Sequence, residues 1–279
     1  MKLGILAHIF GKQPCADLAK TVAEHGFTSV QLALAKALSD IDSSSGKLSP
    51  GLANEVGEQF SRQGVKIAVL GCYINPVNPD AEERRIELNR FKEHIRYARD
   101  FGCSMVATET GSWATYKQTH PEDFEEKGWQ VLRESVEELV EEGEKWGVNV
   151  AIEPVAVHTL HTTEHMQRLF QEVPSSNLGM LFDPCNLLKV HHIDDQETFL
   201  RQVFDTLYPH MIMIHAKDLV FNEDGSKQDM VAGEGLLNYP IFIELLKKYK
   251  PHIQISLEGV TKDRVMDSAN FLRREWDKR

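Results

Sequence analysis

The sequence contains no Cys-x-x-Cys pair, no Gly-x-Gly-x-x-Gly loop, and no apolar run near the roughly 20 residues a membrane helix needs. Each absence removes a class of protein. The four cysteines (Cys15, Cys72, Cys103 and Cys185) are scattered, so neither a zinc cluster nor a disulfide framework is expected. Reduced thiols of this kind suit a cytoplasmic protein. The first strand-like run passes into His8-Ile9-Phe10-Gly11-Lys12 without phosphate-binding glycines, which argues against a doubly wound dinucleotide fold. The opening residues, Met1 to His8, are too short and too soon interrupted for a secretory signal. Basic side chains are also outnumbered. Lys and Arg total 31 against 42 Asp and Glu, and the resulting charge of −11 is the reverse of what a duplex nucleic acid requires. Neither nucleic acid nor membrane is therefore expected as a partner; a small molecule is, and a homo-oligomer stays open.

What is present has a regular beat. Apolar β-type runs fall near 3–9, 29–34, 66–73, 105–110, 149–154, 178–183, 211–216 and 253–258. Helical periodicity fills the gaps, as in Arg85, Ile86, Leu88, Phe91, Ile95 and Ala98 after Asn78-Pro79, which predicts a cap and a first helical proline. Thr119-His120-Pro121-Glu122 and Asp194-Asp195-Gln196-Glu197 have the form of capping boxes. Glycines 26, 64, 102 and 147 each follow a helical stretch and precede a strand, as C-terminal caps do. The tract Ser43-Ser44-Ser45-Gly46 is too short for a linker, and Glu134 to Glu144 predicts a solvated acidic helix face. Eight strand–helix alternations without a linker predict an α/β protein, a single (β/α)8 TIM barrel spanning 1–279 as one domain, with its site at the C-terminal ends of the strands.

The last four runs carry the chemistry. Val150-Ala151-Ile152 ends in Glu153, Met180-Leu181-Phe182 in Asp183, Ile212-Met213-Ile214 in His215, and Ile255-Ser256-Leu257 in Glu258. The separations of 30, 32 and 43 residues each fit one strand, one helix and two loops, so successive parallel strands can bring the four groups together. A carboxylate at a strand end is ordinarily a capping or loop residue. Four consecutive strands ending in a ligand-type side chain point instead to a divalent cation, held by three carboxylates and one imidazole. Mn²⁺ is foremost, with Mg²⁺, Co²⁺ or Zn²⁺ as alternatives.

Ile152-Glu153-Pro154, Phe182-Asp183-Pro184-Cys185-Asn186-Leu187-Leu188, His215-Ala216-Lys217-Asp218 and Leu257-Glu258-Gly259 resemble the xylose-isomerase-like sugar isomerase/epimerase superfamily. This group of TIM barrels includes ketose 3-epimerases, inosose isomerases and dehydratases, and apurinic-site endonucleases. The segment Val231-Ala232-Gly233-Glu234-Gly235-Leu236-Leu237-Asn238-Tyr239 is similar to the superfamily's loop after strand seven. The resemblance implies that Glu153, Asp183, His215 and Glu258 hold one divalent cation. It also implies that Glu153 and Glu258 remove and return a proton beside the carbonyl of a sugar or polyol-ketone. An enediolate stabilised by the metal would connect the two proton transfers, giving isomerisation or epimerisation. Loss of a β-hydroxyl or glycosyl group from the same enediolate would give a keto-sugar or inosose dehydratase or lyase. Asn186 stands where many members carry a histidine, and an amide cannot relay a proton. That departure leaves the substrate open and disfavours the endonuclease branch.

Around these lie candidate substrate contacts. His158, Asn186, Lys217, Glu109 and Asp218 occupy the expected rim, with His8 as a weaker candidate. His158 could equally cap the helix beginning near Thr162. Asp218 could orient a metal-bound water, and Lys217 could meet a substrate oxygen. Trp113, Tyr73 and Phe10 are candidate apolar walls. Cys185 is expected to fill space, and His191-His192 to face solvent.

Overall fold

The protein is described here by a computed structural model covering residues 1–278. In chain order its elements are β1 (Lys2–Leu6), α1 (Cys15–Glu24), β2 (Ser29–Leu32), α2 (Leu34–Ala37), α3 (Pro50–Arg62), β3 (Lys66–Gly71), α4 (Ala81–Tyr97), β4 (Met105–Thr108), α5 (Phe124–Trp146), β5 (Asn149–Ile152), α6 (Thr163–Glu172), β6 (Leu178–Phe182), α7 (Pro184–Leu187), α8 (Gln196–Leu207), β7 (Met211–Ala216), β8 (Asp218–Phe221), β9 (Lys227–Met230), α9 (Tyr239–Tyr249), β10 (Gln254–Leu257) and α10 (Val265–Asp277). Eight strands close a parallel barrel in the order β1-β10-β7-β6-β5-β4-β3-β2. The first and last barrel strands seal it, with Lys2 opposite Gln254 and Ile5 opposite Leu257. This is the expected (β/α)8 barrel.

The apolar runs become strands because helices cover the outside and side chains fill the inside, so both faces are buried. Val69, Ala107, Ala151, Leu181 and Met213, one from each of β3 to β7, form a compact cluster inside the barrel. Side chains two apart on a strand share a face. Glu153, Asp183 and His215 follow Ala151, Leu181 and Met213 by two residues, so they point into the barrel one layer above this plug. Glu258 stands in the same relation to the fully buried Ser256.

Element ends depart from expectation in local ways. The four capping glycines all adopt positive φ, between 62° and 75°. Asn78-Pro79 lies just outside α4, whose cap is Asp80, accepting from the Glu82 and Glu83 amides at 2.9 and 3.1 Å. Residues 119–122 form turns ahead of α5, and Asp195, not Asp194, caps α8. The acidic face of α5 is only partly solvated. Glu138 pairs with Arg85 and Lys92, and Glu142, 7% exposed, meets Arg96 at 2.7 Å, so this face clamps α5 to α4. The sequence reading also missed an antiparallel hairpin, β8–β9, inserted between β7 and α9.

Candidate metal centre

Each of Glu153, Asp183, His215 and Glu258 offers a ligand atom, and these atoms lie within 4.8 Å of one another. Among the described residues no other group of three or more ligand-type side chains converges in this way. Barrel pairing runs past the strand ends to fix them: the Glu153 amide donates to Thr108 O at 3.0 Å and the Glu258 amide to Ala216 O at 3.1 Å. Asp183 caps the short α7, its Oδ1 accepting from the Cys185 amide at 2.8 Å, with Pro184 at the first helical position.

The fully buried His215 is the hub. Its Nε2 lies 2.9 Å from Gln31 Oε1, while Gln31 Nε2 donates to the Tyr73 hydroxyl at 3.1 Å. With Nε2–H donating to Gln31, Nδ1 faces Glu258 Oε2 at 2.8 Å and Glu153 Oε1 at 3.2 Å. Burial lowers the pKa of this imidazole, but the two carboxylates raise it more, leaving it well above the usual histidine range. Cation uptake here must displace that proton.

Glu153 is pushed up to about 7 by burial, which outweighs the pull of His215. Burial also raises Glu258, but His215 and Lys217 together bring it down to about 2. Asp183 Oδ2 and Glu258 Oε2 are buried without a hydrogen-bond partner; the latter is close to His215 Nδ1 but not aligned to accept. Two buried carboxylate oxygens without an aligned hydrogen bond, beside an imidazole, fit a divalent cation that takes oxygen and nitrogen ligands.

The expected substrate contacts separate into three groups. Asn186 and Lys217 join the centre. Asn186 Nδ2 donates to Glu153 Oε1 at 2.8 Å, and Lys217 Nζ lies 3.2 Å from Asp183 Oδ2. Burial alone would lower the Lys217 pKa, but Asp183 and the other nearby carboxylates hold it above the ordinary lysine value. Glu109 and His158 form a rim pair, Oε2 to Nδ1, at 3.5 Å. Thr162 caps α6 with its own hydroxyl, so His158 does not. Burial holds the His158 pKa below normal, and its Nδ1 has no hydrogen-bond partner.

Asp218 is a correction. Fully buried, its carboxylate accepts from the amides of Leu219, Gly233, Gly235 and Leu237 at 2.9 to 3.0 Å. Its lone pairs hold the 231–237 loop and are not offered to the site.

Other residues also differ from expectation. Phe10 belongs to the main core, tilted against His25, and is no site wall. The Trp113 ring packs against His161 and His165. Tyr73 holds Gln31 with its hydroxyl and carries Lys36 Nζ 3.9 Å over its ring. His192 stacks on Phe199. Cys185 is buried, as expected, its thiol pushed well above its normal pKa by burial. Gln31 was missed altogether, and its one signal is an amide inside the buried run Ser29-Val30-Gln31-Leu32.

Comparison with known proteins agrees with this fold. No curated protein matches the sequence significantly. Among solved structures, 3-keto-D-glucoside 4-epimerase YcjR from E. coli, in its apo form, superimposes with a TM-score of 0.75 at 16% identity, over 98% of this chain and 99% of that one. D-psicose 3-epimerase from Clostridium cellulolyticum H10, solved with D-tagatose, gives 0.74 at 15% identity over all of both chains. The IOLI protein with a bound zinc atom gives 0.73 at 16%, over 99% and 96%. At these identities the likeness establishes the fold. The profile of one family, described as xylose isomerase-like TIM barrel, matches residues 19–275. With its closed barrel and this family profile over nearly the whole length, the chain belongs to the xylose isomerase-like TIM barrel family.

Proposed function

We propose that this protein is a divalent-metal-dependent sugar isomerase or epimerase that moves a proton on a carbon beside a carbonyl. The carrying observation is that Glu153 and Glu258 approach one imidazole atom of His215, within a four-residue ligand cluster completed by Asp183. The sugar epimerases among its structural neighbours support the same reading. Glu153, Asp183, His215 and Glu258 would hold the cation, with Mn²⁺ the first choice and Mg²⁺, Co²⁺ or Zn²⁺ compatible with the same donors. When bound, it supplies positive charge that polarises the substrate carbonyl and acidifies the neighbouring C–H.

The protein's own groups do the rest. A glutamate takes the proton, the electron pair stays on the substrate as an enediolate, and a proton is then returned. Return by the second glutamate from the opposite face inverts the carbon. Return by the same group to the adjacent carbon exchanges aldose and ketose. Asn186, through its bond to Glu153 Oε1, orients that carboxylate. Glu109 and His158 at the rim contact the substrate hydroxyls, and the apolar plug below keeps water from entering through the barrel. The absence, among the described residues, of a second ligand cluster disfavours a multi-zinc phosphodiesterase.

Asp183→Ala and His215→Ala test the ligand assignment. Elemental analysis of the folded variants should show metal content and turnover falling together. Full metal occupancy in both would overturn it.

A further inference from the structure

Lys217 has no part in that scheme, yet its position is tightly built. It lies two residues beyond His215 and is 6% exposed. Its Nζ is 3.2 Å from Asp183 Oδ2 and 3.8 Å from both Glu258 Oε2 and Asp229 Oδ2. Two of these three oxygens are the buried carboxylate atoms that lack hydrogen-bond partners. The stem is held as closely as the head. Gly259, at φ +63°, leaves the space it needs, since a Cβ there would stand 3.0 Å from Lys217 Cβ and 3.2 Å from its Cδ. Lys217 O is fixed by the Tyr239 hydroxyl at 2.8 Å and the Cys185 thiol at 3.3 Å.

With the imidazole neutral, as cation uptake requires, the three ligand carboxylates and this ammonium sum to a charge of −2. A divalent cation brings the centre to neutrality, whereas without the lysine it would stay negative. A centre with surplus negative charge holds a cation more tightly, but opposes any negative charge that develops on a substrate oxygen.

We propose that Lys217 is the fixed positive charge of this centre. It weakens the hold on the divalent cation and, in return, stabilises the substrate oxygen on which negative charge develops during proton transfer. This rests on the metal-centre reading above, and it makes Lys217 a residue that sets charge preference, not a ligand or a base.

The test is Mn²⁺ affinity by calorimetry in the full-length protein, comparing wild type with Lys217→Met and Lys217→Arg, alongside turnover and melting temperature. Removing a cation a few ångströms from a dication should tighten Mn²⁺ binding by about tenfold or more in Lys217→Met. Over the same change kcat should fall more than KM rises. Lys217→Arg keeps the charge and should stay within about threefold of wild-type affinity. A lysine that only braced the fold would do the opposite, with its loss loosening the ligands and weakening Mn²⁺. Unchanged or weaker Mn²⁺ binding in a folded Lys217→Met overturns the proposal, as does an arginine variant that behaves like methionine. A wild-type protein that binds no divalent cation would instead overturn the metal centre itself.

Discussion

Gln31 offers no ligand atom that the site requires, yet the chemistry of His215 depends on it. An imidazole can bind a cation through one nitrogen only if the other carries the proton, and Gln31 Oε1 at 2.9 Å gives Nε2–H its acceptor. The Tyr73 hydroxyl, 3.1 Å from Gln31 Nε2, keeps the amide oriented with oxygen toward the histidine. Gln31→Leu preserves approximate volume and removes both bonds. It should weaken Mn²⁺ binding by about 10- to 100-fold with little change in fold, as read by metal titration with circular dichroism as control. Affinity equal to wild type would show that Gln31 does not set the tautomer. The four candidate ligands were legible because each ends an apolar run with an unexpected charge or ring. Gln31 was not, because its partner is 184 residues away and nothing local marks a strand glutamine as inward-facing.

The segment after β7 shows how an element misleads when read one residue at a time. His215-Ala216-Lys217-Asp218 places three polar groups within four residues, and all three invite a role at the rim. Only His215 and Lys217 reach the centre. The fourth residue begins β8, where the carboxylate of Asp218 gathers four amides from its own hairpin and the returning loop. Gly235 permits the close approach, since a Cβ there would stand 2.4 Å from Asp218 Oδ1. Asp218→Ala leaves those donors without their acceptor and should cost about 2–4 kcal/mol of stability. Chemical denaturation measures that loss, while metal per folded molecule should remain at the wild-type level. Undiminished stability with reduced metal would place Asp218 in the site after all. One signal of the hairpin was in the sequence: Asp224-Gly225, between the segments 218–221 and 227–230, is a turn dipeptide. Helix starts slipped by one or two residues because Asn78, Asp80, Asp194 and Asp195 are all competent caps and packing selects among them.

For the molecule as a whole, the barrel was legible because its period is global: eight apolar runs, evenly spaced, with no linker. Closure itself is not local. The pairing of β1 with β10 joins residues about 250 apart, and it holds Glu258 on the same ring as Glu153, Asp183 and His215. The barrel thus supplies what proton transfer at carbon needs, two carboxylates fixed about one point above a closed apolar floor. No helix among the described residues is long and apolar enough to cross a membrane. The measurement that bears most directly on this account is proton exchange. The Mn²⁺-loaded protein is incubated in D₂O with ketoses, inososes and 3-keto-sugars, each C–H is followed by NMR, and the Glu258→Gln variant serves as control. Deuterium should enter beside a carbonyl, with a new epimer or isomer, in the wild type and at least about 100-fold more slowly in the variant. Exchange accompanied by loss of a hydroxyl or glycosyl group would make the enzyme a lyase. No exchange from any of these substrates in a protein with bound metal would contradict the proton-transfer account.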